Sequence, residues 1–261
     1  MKNKKNRTPW GKLWRLVFVK IPLCFIAITV FWVLILKWGP VYVTPLMISR
    51  TIEYWNDDNF HTHKKWVSYK KISPEMAKAV IASEDNKFAE HNGFDWEAID
   101  KAIKDHKRGR RLRGASTISQ QTAKNVFLPP SRTFVRKGFE AYFTVLIEFF
   151  WSKQRIMEVY LNVAEMGKGV YGAGAAADRF FGIKAGSLTR RQACLIAACL
   201  PNPIKRNAGY PSSYVSGRAS MISGLENKLV YPEWVYHKKT TSDKKAAFHK
   251  KANSHTKKWR K

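Results

Sequence analysis

Ser73-Pro74-Glu75-Met76-Ala77-Lys78-Ala79-Val80-Ile81-Ala82-Ser83-Glu84-Asp85-Asn86-Lys87-Phe88-Ala89-Glu90-His91-Asn92-Gly93-Phe94-Asp95 is the stretch on which the reading of this chain turns. It opens as a helix, with a Ser cap, Pro at the first helical position and an acid in the first turn. Ala77, Val80 and Ile81 recur at helical spacing, and Glu84 falls on the same face, one turn past Val80. A polar turn closed by Gly93 follows. A carboxylate that shares a face with buried side chains loses hydration, so its pKa is expected to rise toward neutrality, as a general base requires. Taken alone, the pattern also describes a helix-end glutamate that caps the turn or pairs with a nearby lysine.

Downstream of Gly93 the chain reads as helix after helix. Asp95 can cap a helix with Trp96, Ile99 and Ile103 on one side, ending near Gly109 in a basic run. Ser116 can cap residues 117–126, which stop before Pro129-Pro130. Residues 133–151 form a long apolar helix, and Ser152 starts another with Ile156, Val159, Tyr160 and Val163 facing in. A glycine-rich stretch, 167–174, passes into an Ala-rich helix ending at Phe181-Gly182. Thr189 caps residues 190–200, and 214–230 is the last clear helix. No alternating strand pattern of useful length and no internal repeat is present. The expected class is therefore all-α, or mainly α.

Working back toward the N-terminus, residues 1–20 are basic, with Lys2, Lys4, Lys5, Arg7, Lys12, Arg15 and Lys20. Every residue from 21 to 36 is apolar apart from Thr29. The run is a little short of the roughly 20 residues that span a bilayer, but residues 14–19 extend it and Lys20 can snorkel. Lys37-Trp38-Gly39-Pro40 makes a poor cleavage site, and a core helix would not be apolar all round. A single uncleaved anchor over 21–40 is expected, with the basic end inside. Residues 41–52 are apolar and proline-punctuated, and read as an interfacial segment or a packed connector. Residues 56–71 read as loop, with Trp66 and Tyr69 as anchors. The expected organisation is a basic cytoplasmic segment (1–20), the anchor (21–40), one catalytic domain (41–236) and a basic, apolar-poor tail (237–261).

The 261 residues carry a formal net charge of +28, which favours an anionic partner: nucleic acid, an acidic membrane surface or a phosphorylated substrate. The three cysteines, Cys24, Cys194 and Cys199, have neither metal-ligand spacing nor a disulfide framework, and read as small buried apolar residues.

Two further constellations suit chemistry on an anion. In the run from Gly114 to Asn125, Ser116, Gln120 and Lys124 are spaced by four and form one polar stripe, with Gln121 and Asn125 beside it. Hydroxyls at a helix N-terminus suit anionic oxygens, and Lys124 supplies a point charge. In Arg136-Lys137-Gly138-Phe139-Glu140, the cations should depress the Glu140 pKa, the opposite of the expectation at Glu84. Carboxylates pushed apart in this way divide acid–base roles, although an i,i+4 surface ion pair gives the same pattern.

The motifs now quoted resemble those of the family 51 peptidoglycan glycosyltransferases. Residues 84–95 are similar to the first motif, 114–125 to the second, 136–140 to the third and Lys153-Gln154-Arg155-Ile156-Met157-Glu158-Val159-Tyr160-Leu161-Asn162 to the fourth, in order and at matching spacing. The likeness covers roughly residues 66–202 and points to a monofunctional, membrane-anchored member, since no transpeptidase region follows. Arg179-Phe180-Phe181-Gly182 departs from it, with phenylalanine where tyrosine is expected in the aromatic pair.

The resemblance implies a lysozyme-like helical domain and a reaction: lipid II, the undecaprenyl-diphosphate-linked disaccharide pentapeptide, is polymerised into β-1,4 glycan strands with loss of the lipid diphosphate. It implies that Glu84 is the general base and Glu140 a second essential carboxylate near the donor, with a divalent cation (Mg or Mn) at the diphosphate. Lys124, Arg132 and Lys137 would neutralise the diphosphate, and Ser116, Gln120, Gln121 and Asn125 would line the donor side. The implied partners are lipid II, the growing strand, the inner membrane that holds the enzyme with its catalytic domain in the periplasm, and recruiting cell-wall synthesis or division proteins. A lysozyme-like lytic hydrolase is the first rival, and it lacks a use for the cations. A membrane-tethered nucleic-acid binder is the second, and no nucleic-acid motif supports it.

Overall fold

A computed structural model of the chain describes residues 9–109, 114, 116–131 and 133–236, so the basic tail and Arg132 lie outside the described residues. The mainly helical class is observed. At the centre stands α4 (Pro74–Glu84), packed against α10 (Arg190–Cys199) and α11 (Ser213–Glu226). Ser73 begins α4 as the sequence indicates: its Oγ accepts from the Glu75 amide at 3.4 Å and donates to the Leu188 carbonyl at 2.8 Å. Met76 and Val80 are fully buried; burial of such side chains contributes about 1.5–3 kcal/mol each. Residues 193–199 of α10 are all buried, and its alanines let α4 approach closely. Cys194 and Cys199 are buried and free, as expected, whereas Cys24 is exposed on the anchor helix.

Around this centre lie α5 (Trp96–Lys107), α6 (Ile118–Phe127), α7 (Phe134–Phe150), α8 (Lys153–Val163) and α9 (Gly172–Phe181). Asp95 caps α5 through the Ala98 amide at 2.9 Å. Thr117, rather than the expected Ser116, caps α6. The reason is the reciprocal partner: Gln120, three residues past Thr117, reaches back to its amide, whereas the residue three past Ser116 is the shorter Ser119. Ser212 caps α11, which ends at Glu226, four residues short of the expected end.

A small three-stranded sheet departs from the all-helical expectation: β1 (His63–Lys64) runs parallel to β3 (Val170–Tyr171), which pairs antiparallel with β2 (Glu165–Gly167). Strands this short leave no alternation to read. Gly172, at φ +81°, follows β3 where a Cβ would meet the Asn162 backbone at 2.7–2.9 Å, so the fourth motif and the glycine-rich stretch touch at backbone level.

The N-terminal helix is continuous: α1 (Pro9–Arg15), a π-helical turn (Leu16–Lys20) and α2 (Ile21–Leu36). Its 24 residues from Leu13 to Leu36 are long and apolar enough to cross a membrane, and begin earlier than the expected residue 21. They measure about 36 Å at the helical rise, against a hydrocarbon core of about 30 Å. Exposed Trp14 stands at their first turn and exposed Trp38 just past their last, where interfacial tryptophans belong. The helix docks on α7 and α8. Thr29 Oγ1 and Tyr142 Oη share a hydrogen bond of 2.7 Å, Trp151 Nε1 donates to the Val33 carbonyl at 2.9 Å, and Arg155 Nη2 donates to the Leu36 carbonyl at 2.8 Å. Past Leu36, the apolar segment folds into α3 (Pro45–Glu53), capped by Thr44.

Candidate active site

Glu84 ends α4 half-buried. Its carboxylate accepts from Ser83 Oγ at 3.0 Å and from Gln121 Nε2 at 3.0 Å. Gln121 is held in turn: Tyr160 Oη donates to its Oε1 at 3.2 Å, which fixes the amide with nitrogen toward Glu84. Tyr160 is buried, and burial reinforced by the Glu84 and Asp85 charges pushes its phenol well above the ordinary range. It therefore stays a donor. Three helices, α4, α6 and α8, thus converge on one carboxylate.

The turn after Glu84 is pinned from the other side. Asp85 is buried and accepts from the Ile118 amide at 3.0 Å and pairs with His91 Nε2 at 2.9 Å. Thr117 Oγ1 donates to the Gly93 carbonyl at 2.7 Å. Gly93 has φ +90°, and a Cβ there would lie 2.7 Å from Thr144 of α7, which explains the glycine that closes the turn. Asp85 thereby ties the first motif to the N-terminus of α6, and neighbouring Glu84 is left facing the opening.

Two cavities lie on either side of the hydrogen bond between Gln121 and Glu84. The larger, of about 550 Å³, is lined by Gln121, Lys124, Asn125, Arg136, Tyr160 and Glu165 among others. The second, of about 370 Å³, is lined by Glu84, Asp85, Ser116 and Lys101 among others. Gln121 forms a wall of the first and binds a carboxylate in the wall of the second. Lys124, one turn along α6, is half-buried at the first cavity and makes no hydrogen bond or ion pair among the described residues. Burial pulls its amine below the ordinary lysine range; the Glu140 charge opposes this, Arg136 and Lys137 add to it, and Glu84 also opposes it. Lys124 therefore feels both carboxylates.

Glu140 is buried on α7, with Arg136 Nη1 on Oε2 at 2.5 Å and Lys137 Nζ on Oε1. Both oxygens are engaged by cations, so this carboxylate does not fit as a ligand for the expected divalent metal, and among the described residues no cluster of three or more His, Cys, Asp or Glu converges elsewhere.

Of the residues singled out in the sequence, Glu84, Ser116, Gln121, Lys124 and Asn125 line the paired cavities, and Glu140 lies behind Arg136. Lys137 is half-exposed, pairs with the other oxygen of Glu140 and does not line either cavity. Gln120 is buried and its side-chain carbonyl is spent in the capping box, so Ser116, Gln120 and Lys124 do not form one helical stripe. Sequence reasoning missed Arg136 as a wall residue, Tyr160 as a partner of Gln121, and Arg50 with Glu165. Tyr160 read as core because its hydroxyl partner lies 39 residues away in sequence.

The chain is similar to known proteins over most of its length. The family model described as Transglycosylase matches residues 51–225. A biosynthetic peptidoglycan transglycosylase from Bacteroides thetaiotaomicron is 54% identical over 228 residues, 87% of this chain and 91% of that one. Proteins of the same name are 51% identical from Bdellovibrio bacteriovorus, over 83% of this chain and 86% of that one, and 50% identical from Pseudomonas entomophila, over 82% and 91%. On this match and these identities, the chain belongs to the transglycosylase family of peptidoglycan-synthesising glycosyltransferases.

Proposed function

We propose that the enzyme polymerises lipid II into β-1,4 glycan strands, inverting the donor's anomeric centre and releasing undecaprenyl diphosphate. Glu84 takes the proton from the acceptor sugar's 4-hydroxyl as that oxygen bonds to the donor's anomeric carbon. On the opposite face the bond to the diphosphate oxygen breaks, and its electron pair leaves with the diphosphate. An inverting displacement requires this separation of base and leaving group. Gln121 and Ser83 orient the Glu84 carboxylate. Lys124 meets the growing negative charge, with Lys137 and Arg132 as further cations and Ser116 and Asn125 ordering the donor side. Glu140 acts through charge: it holds Arg136 at the cavity wall.

The observation that supports this reading best is Lys124, a half-buried ammonium facing a cavity and held in no direct ion pair among the described residues. A diphosphate supplies that charge; a neutral glycan, the substrate of a lytic hydrolase, does not. In this reading the N-terminus is cytoplasmic and the catalytic domain lies on the periplasmic face of the inner membrane, a topology that the positive residues ahead of the apolar helix favour. Incubation of the detergent-solubilised protein with labelled lipid II tests the proposal. Polymer that a muramidase degrades is the expected product; lipid II left as monomer, or cleaved to short fragments, would refute it.

A further inference from the structure

α3 has two faces with different surroundings. Outward it shows Ile48 and Ile52, and Trp55 just beyond its end, all more than half exposed. Inward it buries Met47 and presents Leu46 and Arg50 to the 550 Å³ cavity. An amphipathic helix that follows closely on a helix long and apolar enough to cross a membrane suits the bilayer interface with its outer face, while the inner face of α3 walls the cavity.

Arg50 is the charged residue on that wall. Its Nη1 binds Glu53 on the same helix at 2.5 Å, and its Nε reaches Glu165 Oε2 at 3.3 Å. The second contact is long for a charge-assisted bond, which is usually about 2.7–2.9 Å. Nη2 makes no hydrogen bond among the described residues. Glu165, at the start of β2, is buried and lines the same cavity. Burial holds its carboxyl above the usual range, against the pull of Arg50. Among the described residues it is the one acid in a lining that also holds Arg50, Lys124 and Arg136.

We infer that Arg50 is a diphosphate-binding residue brought to the cavity by α3, and that Glu165 is a placeholder counter-ion from which an entering diphosphate takes it over. The inference rests on the reading above that this cavity receives a diphosphate. The guanidinium has an unengaged Nη2 and one long bond to give up, and its fork matches phosphate oxygens. Glu165 keeps Arg50 compensated when no ligand is bound and opposes the ligand's charge when it is. Seating of α3 at the membrane and filling of the cavity are thereby linked through one side chain.

Isothermal titration of inorganic pyrophosphate into the full chain in detergent tests this, with wild type, Arg50→Ala, Arg50→Lys, Glu165→Gln, Lys124→Ala and the Arg50→Ala/Glu165→Gln pair. Arg50→Ala and Lys124→Ala should each weaken binding about tenfold or more, and Arg50→Lys should lose less. Glu165→Gln should tighten binding, and the gain should vanish in the double variant. A merely structural tie between α3 and β2 predicts weaker or unchanged binding in Glu165→Gln, and that result would overturn the inference. Normal affinity in Arg50→Ala beside weakened Lys124→Ala would also overturn it while leaving the proposed function standing. Absence of pyrophosphate binding by wild type would remove both.

Discussion

Glu84 and Glu140 differ in what surrounds them. Glu84 meets neutral donors, a hydroxyl and an amide, beside an open cavity; Glu140 is buried between two full cations. The first can accept a proton from a substrate, and the second fixes charge. Tyr160→Phe removes the donor that orients Gln121 and leaves its Oε1 without a partner, so turnover should fall about tenfold with little change in KM; steady-state kinetics on lipid II will show whether kcat alone moves. Arg136→Ala strips one cation from a buried carboxylate and should cost about 3–5 kcal/mol, readable as a lowered urea midpoint. Because burial lowers the Lys124 amine, its charge disappears as pH rises through a value below the ordinary lysine range. The alkaline limb of kcat/KM should therefore lie below that range and move up in Lys124→Arg, which stays protonated. Glu84 was legible from one helical face and a following turn. Gln120 was misread because the local capping box, which competes for the same side chain, becomes visible only once Thr117 is known to be the cap.

The helices are not equally independent of one another. α7 carries Glu140 on its inner face and Phe134, Val135, Val145 and Phe149 exposed on its outer face, beside the spanning helix that it binds through Tyr142. Tyr142→Phe deletes the Thr29 bond and should cost about 1 kcal/mol, detectable as faster proteolysis between anchor and domain. Lys64 of β1 holds the segment that follows the N-terminal helix, its ammonium donating to the Val41 carbonyl, and burial lowers its pKa to about 8. Between that value and the unfolded value near 10.4 the unfolded chain binds more protons. The stability of wild type relative to Lys64→Met should therefore rise across this window and stay flat below it; thermal melts at a series of pH values read the sign. Long periodic helices were legible at this level. α3 and the strands were not, since two or three residues carry no period and the proline-punctuated segment gains its helix from Thr44 and its packing on α6.

In the whole molecule, a basic chain is built so that α3 and three further helices, α6, α7 and α8, meet around a cavity lined by cations. The order of the motifs along the chain made the family legible. The convergence of Arg50, Lys124, Arg136 and Glu165 was not legible, because those residues come from α3, α6, α7 and β2, and only the tertiary packing brings them together. The central claim is that Glu84 removes a proton while fixed cations hold a diphosphate. Single-turnover polymerisation of labelled lipid II by Glu84→Gln, measured beside its pyrophosphate affinity, addresses it. The account predicts turnover reduced about a thousandfold with pyrophosphate affinity kept; near-normal turnover in Glu84→Gln would contradict it.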